Sequence, residues 1–215
     1  MEKYVDRYEA GKILAEQLKE YANDQNTIVL GLARGGVPVA YEIARTLSLP
    51  LDVLIVRKLG VPGHEELAMG AIVTGDAVVF NDEIIHSFHL SDSSIQKVIQ
   101  VEQKELQRRE SLYRQDRPSL NLKAKTVILV DDGIATGASM LAALKAVRLQ
   151  QPASIIIAVP VAADATCNDL AGLADYLVCP LKPVNFYAVG LWYEDFNQTT
   201  DEEIFELLAK TTTNQ

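Results

Sequence analysis

Apolar positions recur along this chain in two rhythms, one helical and one strand-like. Near the N-terminus Ala10, Ile13, Leu14, Leu18 and Tyr21 fall on one helical face, behind Asp6 and Glu9 at the spacing of a capping box. Thr27–Leu32 (TIVLGL) is a short β-branched apolar run, which predicts a strand buried on both faces. Helical spacing returns over residues 37–47 and is closed by Pro50. A second strand is predicted over residues 52–57, and a hairpin over 71–80 with its turn at Thr74-Gly75-Asp76. A long polar helix follows over residues 93–114, with Ile95, Val98, Ile99, Leu106 and Tyr113 as a thin apolar stripe and Glu105/Arg109 and Glu110/Arg114 at i,i+4. It reads as a solvated helix packed along one edge, with a dimer contact as the alternative.

The second half alternates more regularly. Strands are predicted at 126–130, 154–161 and 176–179, helices at 139–149 and 164–173, and a last helix to Lys210 opened by Thr200 and Glu203. Strands separated by helices of this length form right-handed crossover units. The expected fold is α/β, a mainly parallel central sheet flanked by helices, as one domain over residues 1–215.

Composition narrows the function. With 215 residues, 48% hydrophobic and 23% charged, the chain has the balance of a globular protein with a sizeable core. A net charge of −9 argues against a nucleic-acid binder, which carries a basic patch, but leaves room for a local cationic pocket. No apolar run approaches the roughly 18 residues of a membrane span, and the charged N-terminus lacks a signal-peptide core, so no membrane partner is expected. Cys167 and Cys179 are too few and too far apart for a disulfide framework, and read as reduced core thiols of a cytoplasmic protein. His86 and His89, near Asp82 and Glu83, lack further ligands at zinc-like spacing.

Residues 127–139 (VILVDDGIATGAS) carry the chemistry. A buried strand ends in two carboxylates, and a loop of small and hydroxyl residues leads into a helix. Ligands of open α/β sheets bind beyond the carboxyl ends of the strands. A helix N-terminus offers free N–H groups and the positive end of a dipole, so Ala135, Thr136, Gly137, Ala138 and Ser139 suit a phosphate. Asp131 and Asp132 repel an anion and suit hydroxyl groups instead. Phosphate at one end and vicinal hydroxyls at the other describe a ribose 5-phosphate.

This strand–Asp-Asp–loop–Thr-Gly–helix pattern resembles the signature of the type I phosphoribosyltransferases, which use 5-phosphoribosyl-1-pyrophosphate (PRPP) and Mg²⁺. The resemblance covers residues 27–195. It implies that Asp131 and Asp132 bracket the ribose hydroxyls, directly or through Mg²⁺, and that residues 135–139 hold the 5-phosphate. Ala33-Arg34-Gly35-Gly36, between the first strand and its helix, is similar to the family's pyrophosphate loop, with Arg34 as a cation and Gly35 and Gly36 freeing successive N–H groups. Arg57 and Lys58 followed by a Gly/Pro stretch to Glu66 look like the strand-end cations and mobile loop that close over pyrophosphate. Residues 180–198 correspond to the hood over the acceptor base, with Phe186, Tyr187 and Trp192 as stacking candidates and Val189 and Gly190 offering backbone groups. The implied activity is transfer of the phosphoribosyl group to a nucleobase-like acceptor, by a homodimer. The rival reading is a PRPP- or nucleotide-sensing regulator without turnover. Two departures bear on the acceptor. Ala135 stands where hypoxanthine-guanine enzymes carry an aspartate, and the helical insertion over residues 82–123 matches none of the salvage enzymes compared.

Overall fold

Five parallel strands form the centre of the computed structural model, which describes residues 3–115 and 117–212. They are β1 (Thr27–Leu32), β2 (Leu51–Leu54), β6 (Thr126–Val130), β7 (Ser154–Ala158) and β8 (Tyr176–Val178), in the spatial order β2-β1-β6-β7-β8. After a first Thr or Ser the middle strands carry no polar side chain, because both faces of the sheet are covered. Alternate residues serve opposite sides. Val29, Ile128, Val130 and Ile156 pack with α1 (Arg7–Gln17), α2 (Gly36–Leu47) and α7 (Asp201–Thr212). Ile28, Leu30, Val127, Leu129 and Ile155 pack with α5 (Ala138–Leu149) and α6 (Asp164–Ala171).

The capping signals act locally. The Asp6 carboxylate accepts from Glu9 N at 2.8 Å, while Glu9 reaches back to Val5 N rather than to Asp6 N. Thr200 Oγ1 accepts from Glu203 N at 3.1 Å and opens α7.

The predicted strand over residues 52–57 is two strands. Its first part belongs to β2. After Ile55 the chain leaves the parallel sheet and begins a three-stranded antiparallel sheet of β3 (Val56–Val61), β4 (His64–Val73) and β5 (Ala77–Phe80). Thr74 fixes the crossing, because its Oγ1 accepts from Ile55 N at 2.8 Å and its N–H donates to Ile55 O at 2.9 Å. The Gly/Pro stretch expected as a loop is accordingly a hairpin turned at Pro62–Gly63, where Gly63 has φ +79°. Leu59 and Val61 supply the reason. Both are buried, so alternate positions of β3 face the core even though glycine and proline surround them. The turn predicted at Thr74-Gly75-Asp76 joins β4 to β5.

Within the stretch expected as a helical insertion the chain forms a short helix that the sequence did not delimit, α3 (Asp82–Ser87), and the long polar helix α4 (Asp92–Arg114). Ile95, Leu106 and Tyr113 of α4 are buried. At its end Arg114 donates to both oxygens of the buried Asp52 at 3.0 Å, tying α4 to β2.

Candidate active site

Because β1 and β6 are neighbours in register (Gly31 beside Val130), the loops that leave their carboxyl ends meet at one place. Gly35 and Gly36, at the start of α2, lie directly on Asp131 and Asp132. A Cβ on Gly35 would fall 2.0 Å from Asp132 Oδ2, and one on Gly36 would fall 2.5 Å from Val130 O and 2.9 Å from Asp131 Cα. Glycine is needed here for closeness of approach, not for backbone angle, since Gly35 is ordinary right-handed helical. The Ala33–Arg34 peptide bond just before them is cis.

The loop beyond the acids is braced from both sides. Ile134 N donates to Val161 O at 2.9 Å, and Thr166 Oγ1 donates to Ala135 O at 3.0 Å. Gly137 caps α5 with φ +79°, a conformation that favours glycine. Ala135, Thr136, Ala138 and Ser139 are exposed, and the first turn of α5 carries no acidic side chain, so its free N–H groups are open to an anion.

The carboxylates are only partly accessible, and burial raises both above the ordinary carboxylate range. For Asp131 the rise is large, from burial first and the charge of Asp132 second. For Asp132 burial also dominates, but Arg7 opposes it. Arg7 comes from α1. Its Nε and Nη2 lie 2.9 and 2.8 Å from Asp132 Oδ2, its Nη1 donates to Asn197 O at 2.7 Å, and its guanidinium stacks 4.0 Å from the Phe196 ring centre. Tyr193, its hydroxyl raised by burial and by the charge of Asp132, donates to the Asp132 carbonyl at 2.5 Å. Asp131 Oδ1 accepts from Asp132 N at 2.9 Å.

A phosphoribosyl transferase domain model matches residues 3–179 of this chain. The chain belongs to the phosphoribosyl transferase family. Two proteins from strains of Mycobacterium tuberculosis, each named "Putative phosphoribosyl transferase", are 42% identical over 210 residues, covering 98% of this chain and 47% of theirs. The chain thus spans about half the length of the curated relatives it matches. The crystal structure of TT1426 from Thermus thermophilus superposes with a TM-score of 0.85 at 39% identity, covering 97% of this chain and 98% of that one. A protein of Aquifex aeolicus shares the fold alone, with a TM-score of 0.51 at 10% identity over 86% of this chain and 78% of that one.

Within this family member the structure gathers some of the nominated residues and disperses others. Asp131, Asp132, Gly35 and Gly36 form one cluster, and Val189 packs on the next residue, Gly133, 2.5 Å from where its Cβ would sit. Lys58 lines a cavity of about 470 Å³ that also touches Ala138 and Ser139. Arg57 is turned to α4, with its Nη2 2.6 Å from Glu102 Oε2, and Arg34 lies 3.8 Å from Asp201 of α7. Of the aromatic candidates, Phe186 is half-buried and Tyr187 is 83% exposed. Trp192 is half-buried, with an indole N–H that finds no partner among the described residues. The cavity of about 720 Å³ between the β3–β4 hairpin and α4 includes Arg57 and Lys58 but neither carboxylate. Among the described residues no helix is long and apolar enough to cross a membrane.

Sequence reasoning missed Arg7 and Tyr193 as neighbours of the acids, and it passed over Asn197 and Phe196, which hold Arg7. Phe196 closed an aromatic-rich segment that drew attention. Arg7 had no such signal, because nothing local distinguishes it from any other cation on an amphipathic helix.

Proposed function

We propose that this chain transfers the 5-phosphoribosyl group of PRPP to a flat, nucleobase-like acceptor. The acceptor's nucleophilic atom bonds to C1 of the ribose, the C1–O bond to pyrophosphate breaks, and pyrophosphate leaves with the electron pair. The acceptor's proton passes to solvent or another base, since Ala135 cannot take it. The observation that supports this reading is the packing of Gly35 and Gly36 onto Asp131 and Asp132, the closeness expected if that turn receives an anion beside acids that accept hydroxyls.

In this reading Asp131 and Asp132 accept the ribose hydroxyls, and Ala135, Thr136, Gly137, Ala138 and Ser139 hold the 5-phosphate. Arg34, Gly35 and Gly36 receive the pyrophosphate. Lys58, with Arg57 released from Glu102, offsets the charge that grows on the leaving group. Phe186, Tyr187, Val189 and Trp192 face the acceptor, with stacking on a ring and backbone groups on its edge. The residues present fit Mg²⁺ carried by the substrate. Two adjacent carboxylates supply oxygen ligands, and this ion commonly takes one or two carboxylates plus phosphates and water. Among the described residues no group of three or more acidic, histidine or cysteine side chains forms an all-protein metal cage. When bound, Mg²⁺ would neutralise pyrophosphate charge. A cytoplasmic homodimer, in contact through the exposed side of α4, completes the proposal.

Pyrophosphate release from Mg²⁺–PRPP, measured across purines, pyrimidines and related heterocycles, tests it. Release with one acceptor class, lost in Asp131→Asn/Asp132→Asn while the fold is kept, is the expected result. Tight PRPP binding without release for any acceptor would favour the sensing regulator instead.

A further inference from the structure

The Arg7–Asp132 pair is oddly one-sided. An arginine facing a carboxylate usually spreads its fork over both oxygens. Here Nε and Nη2 both approach Oδ2, at 2.9 and 2.8 Å. Among the described residues no hydrogen bond reaches Asp132 Oδ1. Asp131 is tethered in the same half-way fashion, with Oδ1 taking Asp132 N at 2.9 Å and Oδ2 taking no hydrogen bond among the described residues. Each acid therefore has one oxygen held by the chain and one left open. Gly35 closes the held side of Asp132, since its Cβ would sit 2.0 Å from Oδ2 but 3.3 Å from Oδ1.

Arg7 is itself held from elsewhere. Its Nη1 donates to Asn197 O at 2.7 Å, and the Phe196 ring lies under its guanidinium. The side chains of Arg7 and Asp132 are only 11% and 13% exposed. A buried ion pair is a poor device for stability alone, because desolvation offsets much of the attraction. It is a good device for fixing one rotamer of one carboxylate, because the planar fork has a single productive orientation. The backbone just before Arg7 joins the same C-terminal segment, as Tyr4 N donates to Trp192 O and Glu194 N to Tyr4 O, at 2.9 and 2.8 Å.

We infer that Arg7 is a positioning residue of the phosphoribosyl site. It holds Asp132 Oδ2 against the segment over residues 192–197 and so presents Asp132 Oδ1, beside Asp131 Oδ2, to the ribose hydroxyls. The inference rests on the proposed function, and it assigns to the N-terminal helix a task in substrate recognition that no motif in the chain announces. It also means that the wall proposed to cover the acceptor and the acid proposed to hold the ribose are joined through one side chain.

The test is calorimetric binding of Mg²⁺–PRPP to the full chain and to Arg7→Gln, Arg7→Lys, Asp132→Asn and the Arg7→Gln/Asp132→Asn double variant, each checked for its melting temperature. Loss of the orienting group should weaken binding in Arg7→Gln by about 10–100-fold, the range for groups that orient a ligating side chain. Arg7→Lys keeps the charge and one donor, so it should recover part of that loss; if Arg7→Gln does not fold, Arg7→Lys against wild type carries the comparison. In the Asp132→Asn background Arg7→Gln should change affinity less than about twofold, because both act through one contact. Wild-type affinity in Arg7→Gln or Arg7→Lys, or an undiminished loss in the Asp132→Asn background, would overturn the inference and leave the proposed function standing. A wild-type chain that binds no PRPP would remove both.

Discussion

Gly35 and Gly36 are adjacent and look interchangeable in sequence, yet their neighbours differ in kind. A methyl group on Gly36 meets the backbone of β6, which cannot move, whereas one on Gly35 meets the end of a side chain. Gly36→Ala is expected to cost about 1–3 kcal/mol of stability, as overpacking does. Gly35→Ala is expected to push Asp132 off Arg7, to cost up to about 3–5 kcal/mol for the buried pair it breaks, and in the proposed function to weaken Mg²⁺–PRPP binding as well. Urea titration and calorimetry on the two variants separate these effects. Asp131 gives a prediction in pH. Its folded-state pKa is raised well above the ordinary value by burial and by Asp132. Above the unfolded value of about 3.9 the unfolded chain has released a proton that the folded chain still holds, so stability falls as pH rises through that window. Asp131→Asn removes the penalty. Its melting temperature should exceed wild type at pH 7, and the difference should shrink as pH falls below the unfolded value.

The three-stranded sheet of β3, β4 and β5 shows how a local pattern and its context can disagree. Residues 52–57 read as one strand because their apolar run is continuous; the break at Ile55 comes from Thr74, nineteen residues on. Glycine and proline around Leu59 and Val61 suggested a loop, but pairing with β4 and burial of those two side chains outweigh the local preference. The hairpin is latched to α4 by the Arg57–Glu102 pair, whose side chains are 28% and 21% exposed. Such a partly exposed pair is worth about 1 kcal/mol at most. Glu102→Gln should therefore speed amide hydrogen exchange at residues 57–66 by about 2–5-fold and leave exchange in β6 unchanged. In the proposed function, Mg²⁺–PRPP should slow exchange in the same residues.

Across the whole molecule, the first turn of chain and the segment near residue 193 act as one body. Tyr4 is 1% exposed, packs 5.5 Å from the Tyr193 ring, and donates its hydroxyl to Pro160 O at 2.8 Å; burial is the main reason its pKa rises to about 12. Tyr193 in turn stacks on Phe196 at 5.0 Å and bonds the Asp132 carbonyl. A C-terminal segment that merely covered a finished domain could be loosened at little cost. Tyr4→Ala is instead expected to lose about 3–5 kcal/mol in urea titration with an unchanged m-value, the range for truncating a buried aromatic.

What the sequence determined by itself is what depends on neighbours along the chain. The parallel strands, the helices α1, α2, α4 and α5, the capping of α1 and α7, and the strand-to-helix loop holding Asp131 and Asp132 all follow from periodicity and turn chemistry over a dozen residues or fewer. The loop of small and hydroxyl residues over 135–139 belongs here too, since a helix N-terminus and its glycine are local features. What only the tertiary structure decided depends on residues far apart in sequence: the exit of β3 into a second sheet, the seating of Gly35 and Gly36 on the acid pair, and the partners of Arg34 and Arg57. Arg7 is the clearest case. It lies 125 positions from Asp132 and 190 from Asn197, and an arginine at the start of a helix carries no local sign of which carboxylate it will meet. Local propensity can place its Cα on a helix, but only packing of that helix against α2, and of residues 192–197 around it, sets where the guanidinium ends.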